Sequence, residues 1–138
     1  MAERGQISLR PAQWVIEGMR DRARLAGQKP TNLAERYLAE GLAMDEHPGI
    51  HFVDGPAGRR PAVVGGPDVW QLVEVVRGND GSVEAAAEYL EIDPRLINTA
   101  LGYYGAHREE IDDWISRVHG LSEREEANWR AAREALAR

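Results

Sequence analysis

Gln6, Ser8 and Arg10 alternate with Ile7 and Leu9 in the stretch Gly5-Gln6-Ile7-Ser8-Leu9-Arg10-Pro11. A period of two puts the apolar groups on one face of an extended strand and the hydrogen-bonding groups on the other. Gln and Arg are side chains that read adenine and guanine in the major groove by paired hydrogen bonds, and a two-stranded ribbon fits that groove. A lone strand leaves its backbone donors and acceptors unpaired. The expected remedy is an identical strand from a second copy, with Ile7 and Leu9 beneath the antiparallel pair. Two copies of Gln6, Ser8 and Arg10 would then stand on its upper face.

Other residue types capable of chemistry are less well framed. His47 and His51 are four apart, a spacing that suits metal ligands on a helix, but Pro48 and Gly49 lie between them and argue against a helix. Glu109, Glu110, Asp112 and Asp113 form an acid cluster whose amphipathic setting suits a solvated face better than paired-carboxylate catalysis. Gly65-Gly66 and Gly55–Gly58 lack the Gly-Lys-Ser/Thr ending of a phosphate loop, and no strand-turn-helix motif frames a serine nucleophile. With no cysteine in the chain, disulfides and thiolate metal sites are excluded. No catalytic residue, metal ligand or cofactor is expected.

Charge is unevenly spread. The chain carries a formal net charge of -6, which argues against a protein that coats nucleic acid with its whole surface. Residues 1–30 nevertheless hold Arg4, Arg10, Arg20, Arg22, Arg24 and Lys29 against Glu3, Glu17 and Asp21, a local excess of +3. Residues 47–106 hold four arginines against eight carboxylates, a local charge of -4. The 138 residues suffice for one ordinary domain or two small ones, and the hydrophobic share of 43% is that of a globular protein. No apolar run approaches the length of a membrane span and no signal peptide is evident, so a cytoplasmic, membrane-free protein is expected.

The elements that must position the strand follow in order. Residues 11–26 read as a helix with Val15, Met19, Ala23 and Ala26 on one stripe, Pro11 in its first turn and Gly27 at its end. Residues 30–44 give a second helix through Leu33, Ala34, Tyr37, Leu38, Gly41 and Leu42. After a linker at His47-Pro48-Gly49, Ile50–Val53 and Pro61–Val64 read as two short strands joined by a turn. A helix follows with Val69, Leu72, Val73 and Val76 on one face, stopped by Gly78-Asn79-Asp80-Gly81. Ser82 caps a helix to Leu90, and Asp93-Pro94 opens another to about Tyr104. The next runs from about Arg108 to Val118. After Gly120, the capping-box pattern Ser122-Glu123-Arg124-Glu125 opens a last one to Leu136.

The helix pair 82–104 has a helix-turn-helix look, with Arg95, Asn98 and Thr99 available to a groove. Glu84, Glu88 and Glu91 would then lie near phosphates, so packing or protein contact is the better use of the pair. Trp70, Tyr103, Tyr104 and Trp114 fit a core or a protein-binding surface, and Trp129 is the one large aromatic of the last helix.

Gln-Ile-Ser-Leu-Arg followed by helix, glycine turn and helix resembles the ribbon-helix-helix DNA-binding domains of the MetJ/Arc/CopG superfamily, over about residues 4–46. The resemblance implies a homodimer in which Gln6, Ser8 and Arg10 read bases of a double-stranded operator. It implies that Arg4, Lys29, Thr31 and Asn32 lie near phosphates, with Pro30 and Lys29 departing from the usual start of the second helix. Residues 47–120, with Gly-Arg-Arg-Pro-Ala-Val-Val-Gly-Gly-Pro-Asp-Val-Trp, Ala-Ala-Glu-Tyr-Leu and Ala-Leu-Gly-Tyr-Tyr, resemble the small domain of uncharacterised activity found in many VapB-like antitoxins. That implies a toxin–antitoxin setting.

The expected architecture is therefore mainly α with a short N-terminal strand: a ribbon-helix-helix dimer over residues 1–46, then a small α+β domain over 47–120. That second domain is a short hairpin with a helix bundle containing the helix-turn-helix-like pair. Residues 121–138 form a separate C-terminal helix, and Trp114 and Trp129 are candidates for contact with a partner protein. The expected function is a DNA-binding transcriptional repressor, an antitoxin that represses its own operon and neutralises a cognate toxin. A stand-alone transcription regulator without a toxin is the alternative.

Overall fold

A computed structural model describes residues 3–138. These residues are mainly helical, with six helices and one two-stranded antiparallel hairpin in the middle. In order these are α1 (Gln13–Ala26), α2 (Pro30–Glu46), β1 (Ile50–Val53), β2 (Arg60–Val63), α3 (Val69–Gly78), α4 (Val83–Leu90), α5 (Pro94–Ala106) and α6 (Arg108–Leu136). The chain divides into two compact units after Leu42, inside α2. No helix among the described residues is long and apolar enough to cross a membrane.

The expected N-terminal strand is corrected by the structure: residues 3–12 belong to no ladder and are exposed throughout. A ladder needs a second strand, and one copy of this chain offers none to that segment. The first helix also starts later than expected. Ala12 sits in an extended conformation and its carbonyl accepts from Val15 at 3.0 Å and Ile16 at 3.2 Å, which leaves Pro11 outside the helix. Its end follows the expected glycine. Gly27 takes a positive φ of 64°, Gln28 N–H donates to Ala23 at 2.9 Å and Gly27 N–H to Arg24 at 3.2 Å. Those two bonds satisfy carbonyls that the helix would otherwise strand. Among the described residues of this first unit, only Ala23 and Leu33 are buried.

The second unit holds a continuous core. Ile50 and Val63 of the hairpin, Val69, Leu72, Val73 and Val76 of α3, Ala86 and Ala87 of α4, Ile97, Ala100 and Tyr103 of α5, and Ile111 and Ile115 of α6 form one cluster. Each large member stabilises the unit by about 1.5–3 kcal/mol through removal from water. The hairpin register pairs Ile50 with Val63 and Val53 with Arg60, so β2 starts one residue earlier than the apolar run suggests. At its turn, Gly55 and Gly58 exchange hydrogen bonds of 3.1 and 2.9 Å, and Gly58 has φ 119° with the Trp114 ring 3.6 Å from where a Cβ would stand. The positive φ is what calls for glycine, since a Cβ at that distance from the ring would make only an ordinary contact.

Caps set the helix boundaries of this unit. Ser82 Oγ accepts from Ala85 N–H at 3.1 Å and Asp93 Oδ1 from Arg95 N–H at 2.9 Å, as their sequence positions imply. Asp68 fixes the start of α3 differently. Its carboxylate takes Arg60 Nε and, at 3.1 Å, Trp70 Nε1, while its N–H donates to Gln71 at 3.1 Å. Arg77, Tyr104 and Asp112 then tie α3, α5 and α6 together. Arg77 donates to Asp112 at 2.8 Å, and the Tyr104 hydroxyl donates to the same oxygen at 2.9 Å.

The expected break between residues 118 and 122 is also corrected: α6 is one helix of 29 residues. Gly120 inside a helix costs only about 1 kcal/mol against alanine. Opening the helix there would expose backbone groups that continuation keeps paired, and the Ala, Glu and Arg that follow are strong helix formers.

Candidate nucleic-acid interface

The sequence-predicted reading residues lie together in the first unit. Gln6, Ser8 and Arg10 are exposed on the segment before α1, which forms no helix or ladder, and Ile7 and Leu9 between them are exposed at 76% and 58%. Arg10 makes no hydrogen bond or ion pair with the described residues, so its five donors are available to a ligand. Arg4, expected near phosphate, instead holds Glu35 of α2 at 3.2 Å. With both side chains largely exposed, that pair is weak enough for a phosphate to displace.

The start of α2 offers fewer backbone donors than a bare helix end. Pro30 has no N–H, and the N–H groups of Asn32 and Leu33 both point to Lys29 C=O at 3.1 Å. Lys29, Thr31 and Asn32 are exposed, so their side chains are open to an anion. Arg24, in the last turn of α1, is engaged with Asp21 at 2.7 Å.

An apolar groove of about 470 Å³ opens beside these residues. Leu9, Trp14, Val15, Gly18, Met19, Tyr37 and Leu38 line it, with Trp14 exposed at 77%. Nothing stands within 4 Å of a Cβ built on Gly18, so that glycine widens the groove rather than admitting a close neighbour of the same chain. Trp14 escaped the sequence reading. Its spacing from Gly18 and from Val15 marks the edge of the stripe, not its centre, and the edge is what the groove uses.

In the second unit the helix-turn-helix-like pair α4–α5 presents Glu84, Glu88 and Glu91 to solvent. Arg95, its candidate cation, is held by Asp93 at 2.8 and 3.1 Å, and Thr99 Oγ1 donates to the Arg95 carbonyl. Arg95 and its hydrogen bonds hold the Asp93 carboxyl below the usual carboxylate range. That surface is acidic and its one arginine is spoken for, a poor match for phosphate.

The two tryptophans expected at a partner contact part ways. Trp114 is buried, its ring over the hairpin turn at Gly58 and Arg117 stacked 4.7 Å from its centroid. It is a packing residue of its own unit. Trp129 is exposed at 59% on the distal part of α6. The acid cluster disperses as well: Asp112 joins Arg77, Glu110 accepts from the Tyr103 hydroxyl at 2.8 Å, and no group of metal-ligating side chains forms among the described residues. A second groove, of about 710 Å³ between α3 and α4, is lined by Trp70, Val75, Tyr89 and Leu90 with Glu74 at its rim.

No protein-family model, curated protein or solved structure matches the chain.

Proposed function

We propose that the chain is a sequence-specific DNA-binding repressor that works as a homodimer through its N-terminal unit. Residues 4–12 of two copies pair as an antiparallel ribbon, Ile7 and Leu9 cover the groove beside α1 and α2, and Gln6, Ser8 and Arg10 stand outward to base edges. The observation that carries this reading is the state of the first unit in a single copy: Ala23 and Leu33 are buried while Ile7, Leu9, Trp14, Leu25, Leu38 and Leu42 are exposed. So little burial cannot offset the entropy of ordering some forty residues, and a second copy supplies the missing surface. The local positive charge of residues 1–30 supports DNA as the ligand. The acidic second unit fits a protein partner, and the likeness of residues 47–120 to the small domain of VapB-like antitoxins makes a cognate toxin that partner.

Base readers and phosphate contacts fail differently, which gives the test. Arg10→Ala costs about 1–3 kcal/mol per base contact and relaxes preference at one position of each half-site. Lys29→Ala weakens binding to every sequence and flattens the salt dependence, because a phosphate contact releases counterions and reads no base. Selected and scrambled DNA are compared at several salt concentrations. If Arg10→Ala weakens both DNAs equally while Gln6→Ala and Ser8→Ala change nothing, the strand is not the reading element.

A further inference from the structure

His119 of α6 still reaches Glu74 of α3, but beyond Gly120 no side chain is covered: every residue from Leu121 to Arg138 is exposed. This stretch, residues 121–136, is about 24 Å of helix at 1.5 Å per residue. Helices of that length are marginal in water unless something covers a face. One face is suited to being covered. Val118, Ser122, Glu125, Trp129, Ala132 and Leu136 recur at alternating spacings of four and three, the 3.5-residue period of a two-helix seam. Trp129 and Leu136 on it are exposed at 59% and 88%.

The charges beside the seam say what covers it. Before Trp129 stand Glu123, Glu125 and Glu126 with a single cation, Arg124. After it stand Arg130, Arg133 and Arg138 with a single anion, Glu134. The segment is thus acidic at one end and basic at the other, and complementary to itself when reversed. We propose that residues 121–138 pair antiparallel with the same segment of a second copy, about a twofold axis near Arg130 and Ala131. In that register Trp129 lies against Ala132 of the second copy, large against small. Glu126 faces Arg133 of the second copy twice over, once on each side of the axis. A parallel pairing would oppose Glu125 to Glu125 within the seam itself, and like charges in contact are unfavourable. Within one chain Arg133 already lies over the Trp129 ring, 4.8 Å from its centroid, at the edge of the seam.

A seam this short buries less than the roughly 800 Å² per partner of a standard interface, so alone it is weak. It strengthens whenever another contact tethers the copies, the N-terminal ribbon proposed above being one. The pairing takes Trp129 out of the toxin contact expected of it.

The chain has no cysteine, so introduced thiols report alone. Glu125→Cys and Leu136→Cys chains of the full protein, distinguished by mass, are co-expressed and oxidised mildly. The antiparallel register brings residue 125 of one copy against residue 136 of the other and keeps like positions apart. The expected product is the mixed disulfide, in excess over either self-linked dimer. Adding Arg133→Glu to both chains cuts its yield about fivefold, and adding Glu126→Arg as well restores it. Self-linked dimers of each chain, or no cross-link, overturn the proposal. DNA preference is read on the same samples, so a missing cross-link with intact preference overturns this pairing and leaves the N-terminal reading standing.

Discussion

Glu91 closes α4 from a left-handed conformation, φ 55°, that suits glycine. Its N–H donates to Glu88 at 3.2 Å and Ile92 N–H to Ala87 at 3.1 Å, the same two-bond closure that Gly27 gives α1. The chain accepts the strain because the turn into Asp93 is fixed by the packing on either side. Glu91→Gly should therefore stabilise the second unit by about 1 kcal/mol, read as a higher urea midpoint with an unchanged slope. Asp112 gives a prediction in pH. Donation by Arg77, then by Tyr104, holds its carboxyl below the usual carboxylate range. A depressed folded value means the contribution is present above the unfolded pKa and lost as pH falls through the folded one. Asp112→Asn should lower the thermal midpoint at neutral pH, and the gap from wild type should close as pH drops below about 4. A gap that stays constant down to pH 2 would show that the carboxylate charge is not what links the three helices. The two tryptophans make a point about legibility at this scale. Trp114 and Trp129 occupy similar amphipathic settings in the sequence, and only the hairpin turn at Gly58, remote in the chain, decides that the first is covered.

At the scale of the element, caps and glycines were readable and helix continuity was not. Ser82, Asp93 and Gly27 act locally, through bonds to residues two to five away, so a short window of sequence contains the whole interaction. The capping-box pattern at Ser122 has the right residues, but α6 runs through it, because a cap forms only where the chain gains by leaving the helix. Nothing of the same chain covers residues 121–138 to favour a turn there. A chain ending at Gly120 should keep the thermal midpoint of the second unit and lose helical signal along with the pairing proposed for the segment, since no residue of the removed segment is buried in its own chain. A midpoint lowered by many degrees would mean that the segment covers part of the core after all. The N-terminal strand shows the converse. Its alternation was legible, but strand formation is a property of a pair, and the pair lies outside one chain.

For the whole molecule, the contrast between the two units carries the argument. The second has a core drawn from the hairpin and four helices; the first exposes most of its apolar residues. Leu9→Asp should abolish dimerisation and DNA binding together while leaving the second unit folded. Sedimentation together with near-ultraviolet dichroism of the full chain checks this. A wild-type chain that sediments as a folded monomer at micromolar concentration would overturn the dimer.

By itself the sequence determined most helices, the hairpin and the core face of α3, because periodicity and capping are short-range and each residue reports its own part. The period of two sets Gln6, Ser8 and Arg10 on one side only where that segment pairs as a strand. Tertiary structure alone decided that Trp114 is covered and Trp129 bare, that Asp93 occupies Arg95, that Arg77, Tyr104 and Asp112 meet, and that Trp14 edges an open groove. Apart from the neighbouring Asp93 and Arg95, these depend on which surfaces the fold brings together or leaves bare. Burial is set by neighbours distant in the chain, and no local pattern of residue types encodes them.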